Sequence, residues 1–222
     1  MDVVIFGATG MVGQGVLREC LRDAGITRVV TVGRTAPAAS NPKLRALTVP
    51  DLFDLSAVGA ELTKLDACLY CIGVTSLGMS EAEYTRVTHD LTIAVASFLL
   101  ARNPGLAFVF VSGGGADSSE KGRVMWARVK GKTENALLRM PFRSVTVVRP
   151  GLIIPMHGTR SRTQWYNVFY AVLRPLVPLF RRLAPGQVTT TERLGQTMIR
   201  VANGAFDRQV LEGQRLASVQ AL

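Results

Sequence analysis

Four consecutive apolar residues, Val3-Val4-Ile5-Phe6, run straight into Gly7-Ala8-Thr9-Gly10-Met11-Val12-Gly13-Gln14-Gly15. Val16, Leu17, Cys20 and Leu21 then recur at helical spacing. A buried strand, a glycine turn and a helix in that order form a cradle for phosphate, because backbone N–H groups at the helix start face the turn. Gly7 suits the tight turn, Gly10 lets backbone approach a pyrophosphate, and Gly13 lets helix pack close to strand. The spacing is G-x-x-G-x-x-G. We therefore expect Gly7 to Gly13 to hold a dinucleotide, the alternative being a tight turn with no ligand.

Downstream, apolar strand-like runs alternate with helical patterns. Strands are expected at Arg28–Val32, Leu44–Val49, Asp66–Cys71, Leu106–Val111 and Ser144–Val148, with a small last strand at Val210-Leu211. Ser80 followed three residues on by Glu83 marks a helix start, and Asn103-Pro104-Gly105 marks its end. A further helix covers 124–139. Such alternation predicts an α/β fold of the Rossmann type: a doubly wound, mainly parallel sheet with a small C-terminal helical lobe. Residues 1–222 form a single domain in this reading, and 156–222 partly build a substrate or lid lobe. Within it, Met156–Thr163 reads as a basic loop. Trp165 to Leu183 reads as a broken apolar helix that serves as lid or oligomer contact, or docks on a membrane surface.

Several side chains are then placed by the fold. Strand two ends in Gly33-Arg34, where an NAD site would offer an acid to the ribose 2′-hydroxyl. A guanidinium suits a 2′-phosphate instead, so NADP(H) is favoured over NAD(H). Ser112 stands at the carboxyl end of a strand, the end at which ligands bind in open α/β sheets, and is a catalytic candidate. Cys68 and Cys71 lie three apart on a strand and point to opposite faces, so they are expected as unpaired thiols. No cysteine has a plausible set of metal partners. His89 is expected as an ordinary helix residue.

The net charge of +10 is uneven. Residues 1–110 hold nine basic and ten acidic side chains, whereas 111–222 hold seventeen and six. An anionic small-molecule substrate or an acidic protein partner fits that surplus, as does a merely solvated face. Nucleic acid is disfavoured, because basic and aromatic residues do not interleave outside the Trp165 stretch. No run approaches the roughly 18 apolar residues of a membrane span, and a cytoplasmic location is expected.

Taken with Pro50-Asp51-Leu52, Cys71-Ile72-Gly73, Val111-Ser112, Val129-Lys130-Gly131 and Arg149-Pro150-Gly151, these motifs resemble the atypical short-chain dehydrogenase/reductase superfamily, in particular its NmrA-like and NAD(P)H-binding epimerase-like groups. The resemblance implies that Asp51 and Leu52 meet the adenine, and that Cys71, Ile72 and Gly73 line the ribose and pyrophosphate. It also implies that Lys130 holds the nicotinamide ribose hydroxyls, while Pro150, Gly151, Leu152 and Ile153 flank the nicotinamide. The superfamily places a tyrosine four residues before that lysine as proton donor; here the position is Trp126, whose indole N–H is no acid near neutral pH. Two expectations follow. Either the chain is an NADP-dependent oxidoreductase acting on a quinone- or flavin-like acceptor, with Ser112, Lys130, His157, Tyr84 or water handling protons, or it is an NADP(H)-sensing regulator without catalysis.

Overall fold

The computed structural model describes residues 1–159, 188–205 and 209–221. Its centre is a seven-stranded sheet built from β1 (Asp2–Phe6), β2 (Arg28–Gly33), β3 (Leu44–Thr48), β4 (Ala67–Tyr70), β5 (Ala107–Val111), β6 (Ser144–Arg149) and β9 (Gln209–Glu212). The spatial order is β3-β2-β1-β4-β5-β6-β9, and every pairing is parallel. Val3 stands opposite Val29 on one side and Ala67 on the other. The chain therefore winds outward from β1 in one direction, returns, and winds outward in the other. That reversal is the switch point of a Rossmann-type fold.

Strands covered on both faces should be apolar throughout, and β5 and β6 are buried at every residue. Alternation along β1 sorts two cores. Val3 and Ile5 face α1 (Met11–Arg22) and α5 (Thr191–Arg200), through Val16, Leu17, Leu194 and Met198. Val4 and Phe6 face α3 (Leu91–Arg102) and α4 (Met125–Arg139), through Leu91, Val95, Leu99 and Leu137. On this second face Tyr70 stacks at 5.9 Å on both Phe6 and Phe108. Such aromatic pairs add about 0.5–1.5 kcal/mol each beyond their buried area.

Several boundaries differ from expectation for identifiable reasons. The helix expected from Ser80 begins with α2 (Glu81–Thr85), and its capping box forms: Ser80 receives the Glu83 N–H and donates its own N–H to the Glu83 carboxylate at 2.8 Å. One turn, Arg86–Asp90, widens to π spacing before α3, and there His89 meets the Asp90 carboxylate at 2.8 Å. Leu152 and Ile153, for which no strand is expected, lie in β7 (Leu152–Ile154). It pairs with β8 (Val188–Thr190), more than thirty residues away. The described part of 156–222 returns to the main body, with α5 against α1 and β9 on the sheet edge before α6 (Gly213–Ala221). The Trp165–Leu183 stretch and Arg160, Arg162, Arg181 and Arg182 lie outside the described residues. Cys68 belongs to one core and Cys71 packs against the other, and all three cysteines are free. Among the described residues no helix is long and apolar enough to cross a membrane, and no cluster of potential metal ligands occurs.

Candidate functional site

At the switch point the carboxyl ends of β1, β2 and β4 open into a crevice of about 360 Å³. Gly7, Thr9, Gly10, Arg34, Leu52, Cys71, Ile72 and Gly73 all line it, together with Val32, Gly33, Thr35, Val74 and Thr75. Gly7 has φ +82°, a conformation that disfavours any side chain, and a Cβ there would come within 2.8 Å of the Cys71 and Ile72 backbone. A Cβ on Gly13 would overlap the Gly7 carbonyl, so the first turn of α1 is pressed against the loop. Gly10 differs: nothing approaches its Cβ position closer than 3.4 Å. It caps α1 without a side-chain hydrogen bond, and no acid occupies the first turn. Unsatisfied N–H groups and the positive end of the helix dipole thus face an opening with no competing carboxylate. This arrangement fits a dinucleotide's pyrophosphate. Arg34, the charged residue of the lining, is exposed and makes no ion pair among the described residues.

The other expected residues are not in the crevice lining. Asp51, next in sequence to the lining residue Leu52, is exposed, and its carboxylate accepts the Phe53 N–H at 2.9 Å. Met11 and Val12 are half-buried in the first turn of α1, and Ala8 lines a neighbouring cavity. Pro150 is buried, and its carbonyl accepts the Gly114 N–H at 2.8 Å. Gly151 is exposed, while Leu152 and Ile153 are half-buried in β7.

A second group forms where α4 meets the ends of β5 and β6. Trp126, Lys130 and Glu134 follow one another at helical i, i+4 spacing and share a face of α4. The Gly113–Gly115 loop lies over them; a Cβ on Gly113 would touch both the Trp126 ring and the Lys130 stem at 3.9 Å. Lys130 Nζ is 5.5 Å from the centre of the Phe110 ring. Burial lowers its ammonium pKa to about 8, partly opposed by the Glu134 charge.

Glu134 and Arg149 were not among the expected site residues, yet they organise this region. Glu134 is fully buried and accepts hydrogen bonds from the Ser112 hydroxyl and from Arg149, whose Nε reaches both carboxylate oxygens at 3.1 Å. Arg149 also donates to Glu212 on β9 at 3.0 Å and to the Ser118 hydroxyl at 2.6 Å. Glu212 in turn accepts the Gly115 N–H at 3.0 Å. Helix α4, strands β6 and β9 and the loop after β5 are thereby tied to one guanidinium. The signal in the sequence is an arginine ending an otherwise uncharged strand, with a glutamate four residues beyond Lys130 on the same face of its helix. Ser112 is buried and its proton is directed to Glu134. Of the alternative acids, Tyr84 is buried and its phenol pushed up by burial. His157 meets Glu192 at 2.8 Å on the wall of the other cavity, not beside Lys130.

Comparison with known proteins adds relatives to this geometry. No protein-family profile matches the chain. It is 31% identical over 221 residues to the mitochondrial protein fmp52 of Emericella nidulans, spanning 96% of this chain and 91% of that one. Over 204 residues it is 29% identical to the mitochondrial protein fmp52-2 of Aspergillus terreus, covering 90% and 83%. Among solved structures, MoeE5 in complex with UDP-glucose and NAD superposes with a TM-score of 0.68 at 18% identity, over all of this chain and 81% of that one. Bordetella bronchiseptica WbmF in complex with NAD+ gives 0.69 at 14% identity, over 98% and 76%. At those identities the likeness concerns the fold. The relatives' names overturn the cytoplasmic expectation: both are mitochondrial proteins, and nothing in composition encodes that address.

Proposed function

The chain belongs to the family of the Fmp52 proteins, and on that premise we propose that it is an NADP(H)-binding oxidoreductase of the atypical short-chain dehydrogenase/reductase type, working without the usual catalytic tyrosine. The observation that carries this reading is the crevice at the switch point, with its glycine cradle, uncapped helix start and exposed arginine. Its relation to the NmrA-like and epimerase-like groups rests on the motifs named above. Solved neighbours that hold NAD in the same fold support a nicotinamide cofactor, and Arg34 supports the phosphorylated form. The relatives' names support a mitochondrial location.

In this reading Gly7, Ala8, Thr9, Gly10, Met11, Val12 and Gly13 cradle the pyrophosphate, and Arg34 pairs with the 2′-phosphate. Asp51 and Leu52 border the adenine; Cys71, Ile72 and Gly73 form the wall beneath the ribose. Pro150, Gly151, Leu152 and Ile153 flank the ring at the far end. A bound nicotinamide supplies hydride. Lys130 holds the ribose hydroxyls through its ammonium, and Ser112 acts as a positioning residue that orients Glu134. Trp126 donates a hydrogen bond but releases no proton near neutral pH. With no phenol at that position, the acceptor best suited is one protonated afterwards by solvent, such as a quinone or flavin. The basic second half of the chain favours an anionic form of such a substrate.

Incubating the protein and NADPH with quinones, flavins and small carbonyls tests this reading. Oxidation with quinones or flavins but not carbonyls supports it. A second reading, an NADP(H) sensor that meets a protein partner, is favoured by the commitment of Ser112 to Glu134. Tight NADPH binding with no oxidation across the panel selects the sensor. Trp126→Tyr then asks whether a phenol alone creates carbonyl reduction.

A further inference from the structure

A larger cavity, about 600 Å³, lies on the other side of the glycine loop. One wall is a stripe of α1, formed by Gln14, Leu17, Arg18, Leu21 and Arg22 at i, i+3, i+4, i+7 and i+8. Ala36, Pro37, Ala38 and Ala39 after β2 form the opposite wall, and His157, Gly158 and Thr159 after β7 close one end. Its volume falls within the roughly 300–1,000 Å³ of small-molecule sites. Most of the surface is methyl and methylene, from Ala8, Leu17, Leu21 and the Ala36–Ala39 loop.

The charges are specific. No aspartate or glutamate is among the lining residues. Arg18 is paired with Glu19, and the His157 ring meets the Glu192 carboxylate. Arg22, exposed at the end of α1, has no ion-pair partner among the described residues. Glu192 lies close enough to feel the charges of Arg18 and Arg22, so the lining carries a modest positive surplus beside an apolar chamber, which offers little to a polyanion such as a nucleotide or to a sugar's hydroxyls. It matches a single anionic head on an apolar body.

We propose that this cavity is a second small-molecule site, separate from the cofactor crevice, for a monoanionic amphiphile whose head pairs with Arg22 and whose tail lies between α1 and the Ala36–Ala39 loop. The proposal stands apart from the cofactor reading, although Thr9 lines both spaces and the glycine loop is their common wall.

The test is calorimetric titration of the full chain with decanoate and with decanol, each with and without saturating NADPH. One decanoate per chain is expected, at least tenfold tighter than decanol, and bound whether or not NADPH is present. Arg22→Glu, an exposed substitution, should weaken decanoate tenfold or more, and Ala38→Trp on the exposed loop should block it by filling the chamber. Circular dichroism should show both variants folded. Failure of decanoate to bind overturns the proposal. So does equal binding of decanol, unchanged affinity in both variants, or one-for-one displacement by NADPH. If NADPH itself fails to bind while decanoate binds, the cofactor reading falls and this one stands.

Discussion

Replacing Arg149 with methionine removes the guanidinium that faces Glu134 while keeping much of the side-chain volume. The Glu134 carboxylate has no exposure to solvent, so it keeps only the hydrogen bond from the Ser112 hydroxyl and the more distant charge of Lys130. Glu212 can turn to water, being 39% exposed, and adds little to the loss. Removing one partner of a buried pair costs about 3–5 kcal/mol, because the remaining charge is left desolvated. Against a total stability of about 5–15 kcal/mol this is a large share, equivalent to a fall in Tm of roughly 6–20 °C for a chain of this size. Urea unfolding followed by circular dichroism reads it directly. Glu134→Met in the Arg149→Met background should recover much of the loss, since an apolar pair of similar volume strands no charge. The double-mutant cycle should therefore show a coupling of about 2 kcal/mol or more. A single-variant cost below about 1 kcal/mol, or losses that simply add, refutes the claim that this ion pair ties α4 to the sheet.

Three further outcomes follow from the crevice and its surroundings. Gly13→Ala pushes a methyl group into the Gly7 carbonyl and should cost about 1–3 kcal/mol of stability, with at least a tenfold loss of NADPH affinity by fluorescence titration. Arg34→Glu should reverse the preference between NADPH and NADH, since it exchanges attraction for repulsion at the 2′-phosphate; an unchanged preference removes Arg34 from the site. Above pH 7, where the 2′-phosphate is fully ionised, NADPH affinity should weaken as pH rises through about 8, where Lys130 loses its proton. Lys130→Met should abolish that pH dependence, and its persistence would assign the titration to another group.

The glycine run was legible because its strand, turn and helix follow one another within fifteen residues, with Gly13 pressed against its own loop, although the Cys71–Ile72 backbone that crowds Gly7 comes from a distant strand end. The doubly wound, mainly parallel sheet followed from the alternation of elements, since parallel crossovers leave few alternatives. What was not legible depends on distant partners. The β7–β8 pairing joins segments far apart in sequence, and the Glu134–Arg149 pair lies on separate elements, so neither residue's spacing announces the other. Ser112 shows the limit well. Its place at a strand end was readable, but the direction of its hydroxyl depends on Glu134, twenty-two residues on. The second cavity needs three segments to close it and leaves no motif at all.

The central claim is that the switch-point crevice holds a phosphorylated dinucleotide. Isothermal titration of the purified chain with NADPH and, separately, NADH tests it without reference to any substrate. One NADPH should bind per chain, at least tenfold more tightly than NADH, the ratio expected for about 1.4 kcal/mol from the Arg34 contact. Absence of binding by either nucleotide would contradict it.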